Sequence, residues 1–184
     1  MGKIWISSDP HFCHDKEFVY GPRGFNSVYE MNEAIIKNWN ELVAWDDTVY
    51  LLGDCMLNDN DEGCKLLNRL AGTIYIIGGN HDTAERIQRY VNIRPTIHYL
   101  GLAHILKYDG YRFYLSHYPT ITSNYDYDKP LRKRVISLCG HSHVKDPFYD
   151  SDKGLIFHTE LDTNDCKPWL LGDIIKKIEE KIYG

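Results

Sequence analysis

With 184 residues, 43% apolar and 26% charged, the chain has the make-up of a folded protein with a real core, which sets aside disorder, collagen and coiled coil as whole-chain descriptions. Its net charge of −5 argues against a dedicated nucleic-acid binder, but is compatible with an enzyme that gathers acids around cations. No apolar run nears the roughly 18 residues of a membrane span, the first residues lack a signal-peptide layout, and the 5 cysteines form no C-x-x-C pair. A cytoplasmic protein with free thiols, without membrane association, is expected.

No repeat or linker divides the chain, so one domain over residues 1–184 is expected. Residues 3–8 read as a buried strand ending at Asp9-Pro10. Residues 27–44 read as a helix, opened by a Ser27-x-x-Glu30 capping box and carrying Val28, Met31, Ile35, Trp39, Leu42 and Val43 at helical spacing. A second apolar strand, residues 48–52, ends at Gly53-Asp54. After a short helix at 64–70, a third strand at 73–77 runs into Gly78-Gly79-Asn80-His81-Asp82, and a helix then extends to about Val91. The second half is strand-rich: residues 96–100, 103–108, 111–116, 135–138 and 155–159, with Asp109-Gly110 as a hairpin signal. A terminal helix spans 174–182. Strand–helix alternation followed by strands predicts an α/β (α+β) protein in which two sheets pack together with helices outside.

Apolar strands repeatedly end in residues of metal-ligand type. These are Asp9-x-His11, Gly53-Asp54, Gly79-Asn80-His81-Asp82, Ser116-His117 and Gly140-His141-x-His143. Ligands of open α/β sheets bind beyond the carboxyl ends of strands, so five strand ends are expected to deliver their polar residues to one crevice. Residues i and i+2 of an extended segment share a side, which pairs Asp9 with His11 and His141 with His143. Carboxylate, imidazole and amide donors without thiolate suit Mn, Fe, Zn or Ni.

This series of motifs, from residue 9 to residue 143, resembles the calcineurin-like metallophosphoesterase superfamily, in particular its small bacterial and phage phosphoesterases. The resemblance implies a four-layer sandwich of two mixed β-sheets packed face to face and flanked by helices. It implies two divalent transition-metal ions, one on Asp9, His11 and His143, the other on Asn80, His117 and His141, with Asp54 bridging. A metal-bridging hydroxide would attack phosphorus in line, His81 would protonate the leaving oxygen, and Asp82 would orient His81. The arginines of the serine/threonine phosphatase branch are missing: Cys55 follows Asp54, and Gly78 precedes Gly79.

The expected activity is hydrolysis of a small or nucleotide-like phosphodiester. A phosphomonoesterase on the same metals, a nuclease on DNA or RNA, which the acidic balance disfavours, and a non-catalytic interaction module are the rivals. His14 either touches substrate phosphate or caps a turn, and Arg23 is either a phosphate clamp or a solvated loop arginine. Tyr118, Tyr125 and Tyr127, followed by Arg132, Lys133 and Arg134, either stack a base or cover the core. His98, His104 and His158 read as ordinary strand histidines.

Overall fold

The computed structural model describes residues 2–122 and 128–184. In chain order its elements are β1 (Ile4–Ser7), α1 (Glu17–Tyr20), α2 (Val28–Leu42), β2 (Thr48–Leu51), α3 (Asn60–Asn68), β3 (Thr73–Ile76) and α4 (Ala84–Val91). There follow β4 (Ile97–Tyr99), β5 (Ala103–Tyr108), β6 (Tyr111–Ser116), β7 (Val135–Cys139), β8 (Ile156–His158), β9 (Trp169–Leu170) and α5 (Leu171–Tyr183).

Local chemistry accounts for most of these boundaries. Ser27 Oγ accepts the Glu30 N–H and so caps α2, while Glu30 reaches back to the N–H of Asn26, one residue before the cap. The helix α3 starts four residues before its apolar positions, because Asp59 accepts the N–H groups of Asp61 and Glu62. Asp109 and Gly110 both take positive φ, 46° and 78°, and fold β5 onto β6 with Tyr108 opposite Tyr111. That is the backbone a two-residue hairpin of matching twist requires.

The strands form two mixed sheets, in the orders β4-β3-β2-β1-β9 and β5-β6-β7-β8. In the first, β1 to β4 are parallel and β9 runs antiparallel beside β1. In the second, β5 is antiparallel to β6, and β6, β7 and β8 are parallel. Alternation along each strand sorts side chains between two cores. Trp5, Val49, Leu51, Ile74 and Ile76 pack against Met31, Ile35 and Trp39 of α2 and Leu67 of α3. Ile6, Leu52 and Ile77 face the other way, into a cluster with Phe113, Leu115, Ile136, Leu138 and Phe157 of the second sheet. Ile174, Ile175 and Ile178 of α5 close that second cluster. Two sheets face to face, with helices packed against them, make the α/β fold that the sequence predicts. Among the described residues, no helix is long and apolar enough to cross a membrane.

Candidate metal centre

The parallel strands end together, and their loops are laced to one another. The N–H groups of Asp9 and His11 donate to the carbonyls of Gly53 and Asp54, each at 3.1 Å, and Gly140 N–H donates to His117 O at 2.9 Å. Asp9, His11, Asp54, His141 and His143 all sit at positive φ, between 49° and 78°. Non-glycine residues held there cost on the order of 1–3 kcal/mol each, and such strain concentrates at functional sites. The neighbouring glycines permit the close approach: a Cβ on Gly140 would run into Ser8 Oγ and Asp9 Oδ2, and one on Gly79 into the Asp54 backbone nitrogen and side chain.

The side chains converge in two groups. In the first, His11 Nε2 lies 3.1 Å from His143 Nε2 and 3.5 Å from Asp9 Oδ1, and Asp9 Oδ1 is 3.8 Å from His143 Nε2. In the second, His117 Nε2 lies 2.9 Å from Asn80 Oδ1, 3.2 Å from His141 Nδ1 and 3.4 Å from Asp54 Oδ2. Asp54 Oδ2 stands between the groups, also 3.7 Å from His11 Nε2. His117 donates Nδ1–H to the Leu52 carbonyl at 2.8 Å, which turns its Nε2 into the site. Asp9 belongs to both groups, since its carboxylate also comes within ligand range of Asp54 and His117.

These residues fit metal ions by their own chemistry. Among the described residues, none donates a hydrogen bond to the buried Asp9 Oδ1, a costly state for a carboxylate oxygen unless a cation meets it. Two imidazole nitrogen pairs face each other at 3.1 and 3.2 Å. The local field is strongly negative. Burial pulls the His117 imidazolium down, but Asp54 and Asp9 more than offset this and raise its pKa to about 9. Burial pushes Asp9 up, yet His11, with Nε2 3.5 Å from Oδ1, and the surrounding imidazoles hold it at about 2. Carboxylates that bind a proton this firmly on a neighbour bind a divalent cation by the same electrostatics.

His81 and His14 line a cavity of about 260 Å³ with His11, Asp54, Asn80 and His143, at the small end for ligand sites. The His81 side chain is 41% exposed, with Nε2 3.9 Å from Asp54 Oδ2. Burial lowers His14 to about 4, helped by His11, His81 and His143, so it is neutral near pH 7. Its Nδ1 sits 3.2 Å from His11 Nδ1.

Two sequence expectations are corrected. Asp82 does not orient His81: its carboxylate accepts the N–H groups of Asp54 (2.7 Å), Gly79 (2.9 Å) and Cys55 (3.1 Å) and the Tyr90 hydroxyl (2.9 Å). It staples the loops after β2 and β3 together. Arg23 is not a phosphate clamp, because its guanidinium is buried beneath the site. It makes two hydrogen bonds to Asp162, at 3.1 and 2.7 Å, and donates to the Asp9 carbonyl at 2.8 Å. Tyr125 and Tyr127 lie outside the described residues. His98 and His104 stack on Tyr75 and Tyr50, as ordinary strand histidines do. His158 differs: it is buried between Glu160 and Asp150, 3.0 Å from each. Burial lowers its pKa, but the two carboxylates raise it above the usual value.

Asp162 and Glu160 went unrecognised in the sequence, although an acid pair at i, i+2 just past a strand was the available signal. Asp162 Oδ2 lies 3.1 Å from His143 Nδ1, which fixes that ring with Nε2 toward His11. Glu160 Oε1 accepts the N–H of Ser142, between His141 and His143. The side chains of Arg23 and Asp162 are 1% and 5% exposed. Removing one partner of a buried pair leaves an uncompensated charge, so Asp162→Ala is expected to destabilise the fold by about 3–5 kcal/mol. Urea unfolding of the metal-stripped protein measures this; a loss under about 1 kcal/mol would contradict a buried pair.

The model of the calcineurin-like phosphoesterase superfamily domain matches residues 3–158. An uncharacterised protein of Methanocaldococcus jannaschii is 33% identical over 186 residues, covering 98% of this chain and 93% of its own length. The gene 66 protein of Mycobacterium phage L5 is 24% identical over 78% of each chain. A solved structure from Aquifex aeolicus, a protein of unknown function, superposes with a TM-score of 0.72 at 23% identity, covering 96% of this chain and all of that one (100%); the likeness is one of fold.

Proposed function

Because the chain belongs to the calcineurin-like phosphoesterase superfamily and is a metal-dependent phosphoester hydrolase, we propose that it acts as one catalytic domain, residues 1–184, cleaving a small or nucleotide-like phosphodiester. Asp9, His11 and His143 would hold one divalent ion, Asn80, His117 and His141 a second, and Asp54 would bridge them. Mn, Fe, Zn or Ni suits this set of imidazole, carboxylate and amide donors. When bound, the ions supply Lewis acidity toward the phosphoryl oxygens and a nucleophile derived from water at neutral pH.

The protein's own groups do the rest. Asp54 would supply the negative charge that offsets repulsion between the two ions. His81 delivers a proton to the departing oxygen from its half-exposed ring, and its backbone is fixed on both sides. Its N–H donates to Asp54 Oδ1 at 2.9 Å, and its carbonyl accepts from Arg86 at 2.7 Å. His14, neutral at pH 7, offers a phosphate oxygen a hydrogen bond rather than an ion pair.

The observation that carries the reading is Asp54 Oδ2, within 3.9 Å of the Nε2 atoms of His11, His81 and His117 at once. The choice of a diester rests on charge. Among the described residues no lysine or arginine lines the cavity, and Arg23 is engaged by Asp162. A dianionic monoester would need cationic contacts beyond the ions, which a monoanionic diester does not. Steady-state kinetics of the Mn-, Ni- and Zn-loaded protein on paired aryl diesters and monoesters test this. The diester is expected to have the higher kcat/KM, and faster monoester turnover with every metal would overturn the choice.

A further inference from the structure

Two exposed aromatic rings stand close to the site, one beside each half of the ligand set. Phe18 is 73% exposed and lines the same cavity as His81 and Asp54. Its ring meets His14 edge-on at 5.6 Å, and His14 in turn stacks on His11 at 5.2 Å. Tyr118 is 51% exposed, with its ring 5.2 Å from His117 and 4.7 Å from His141.

Neither ring is on a loose segment. Val19, the residue after Phe18, is buried in the first core cluster, and Tyr20 packs against that cluster. The turn is closed by Val19 N–H on Lys16 O and Gly21 N–H on Glu17 O. Val19 lines the same cavity as Phe18 while packing into the core, so it fixes the backbone from which Phe18 reaches the cavity. The Tyr118 backbone is held by Ser116 Oγ and Thr120 Oγ1, both donating to its carbonyl. Rigid apolar faces left in water beside an anion site are platforms for a flat group carried by the anion.

Resting on the phosphodiesterase reading above, we infer that Phe18 and Tyr118 determine specificity, selecting phosphodiesters whose organic group carries a planar ring of nucleobase type. The phosphoryl group binds between the two rings, and the ring of the organic group stacks on one of them. Stacking tolerates any base, because every base offers a π-face.

Thymidine 5′-(p-nitrophenyl phosphate) and ethyl p-nitrophenyl phosphate share a leaving group and differ in nucleoside against ethyl. The Mn-loaded full chain is expected to prefer the nucleoside ester. In Phe18→Ala/Tyr118→Ala that preference, the ratio of kcat/KM values, should fall about tenfold, with the loss in KM. Phe18→Trp/Tyr118→Phe should retain it, which separates stacking from damage to the fold. A ratio unchanged in the alanine variant, with both esters still cleaved, overturns this inference and leaves the phosphodiesterase standing. A wild-type protein that cleaves neither ester overturns both.

Discussion

Asp54→Asn is expected to lose both bound ions and at least about 10³-fold in kcat/KM, the rate equivalent of several kcal/mol of charge stabilisation. The substitution keeps shape and removes charge. An asparagine still accepts the His81 N–H that Asp54 Oδ1 takes at 2.9 Å, so the loop after β3 keeps its anchor. What disappears is the negative oxygen lying 3.7 Å from His11 Nε2 and 3.4 Å from His117 Nε2. Two divalent cations flanking that point would then repel each other without an intervening anion. A readout independent of turnover exists in the metal-stripped protein. His117, raised to about 9 through Asp54 and Asp9, should fall toward the ordinary imidazole value in the variant. Calorimetric titration with Mn and an NMR pH titration check the two parts. Two tightly bound ions with normal rates would remove Asp54 from the bridging position.

How far the sequence disclosed this centre depended on the range of the interaction concerned. Strand ends are local events. Short apolar runs ending in polar residues mark β1, β2 and β3, and they put Asp9, Asp54 and Asn80 just past strand ends. The Asp109-Gly110 turn was legible for the same reason. Two short elements, α1 and β9, escaped because four and two residues carry no periodicity. Two errors at the site are long-range. Arg23 looks free in the sequence, but its partner Asp162 is 139 positions away. Asp82 is adjacent to His81 yet bonds backbone 27 and 28 residues earlier. The family resemblance implied an orienting carboxylate, and tertiary pairing assigned it to stapling loops. His158 reads as one more strand histidine until β8 places it between Asp150 and Glu160.

His81→Ala is expected to retain its metals while slowing hydrolysis of esters with poor leaving groups by roughly 10²–10⁴-fold, the usual contribution of a general acid. The backbone contacts of His81 explain why the two effects separate. Its N–H to Asp54 and its carbonyl to Arg86 survive in alanine, so the substitution deletes an imidazole without moving Asp54. The lost proton matters only when the departing oxygen is basic. An alkoxide leaving group needs protonation as the P–O bond breaks, whereas a nitrophenolate is stable as an anion at neutral pH. The rate deficit should therefore shrink as the leaving-group pKa falls, steepening the dependence of log kcat on that pKa relative to wild type. A series of aryl and alkyl diesters gives the slope directly, with Mn content measured on the same samples. Equal losses across the series, with the slope unchanged, would show that His81 positions substrate rather than protonating it.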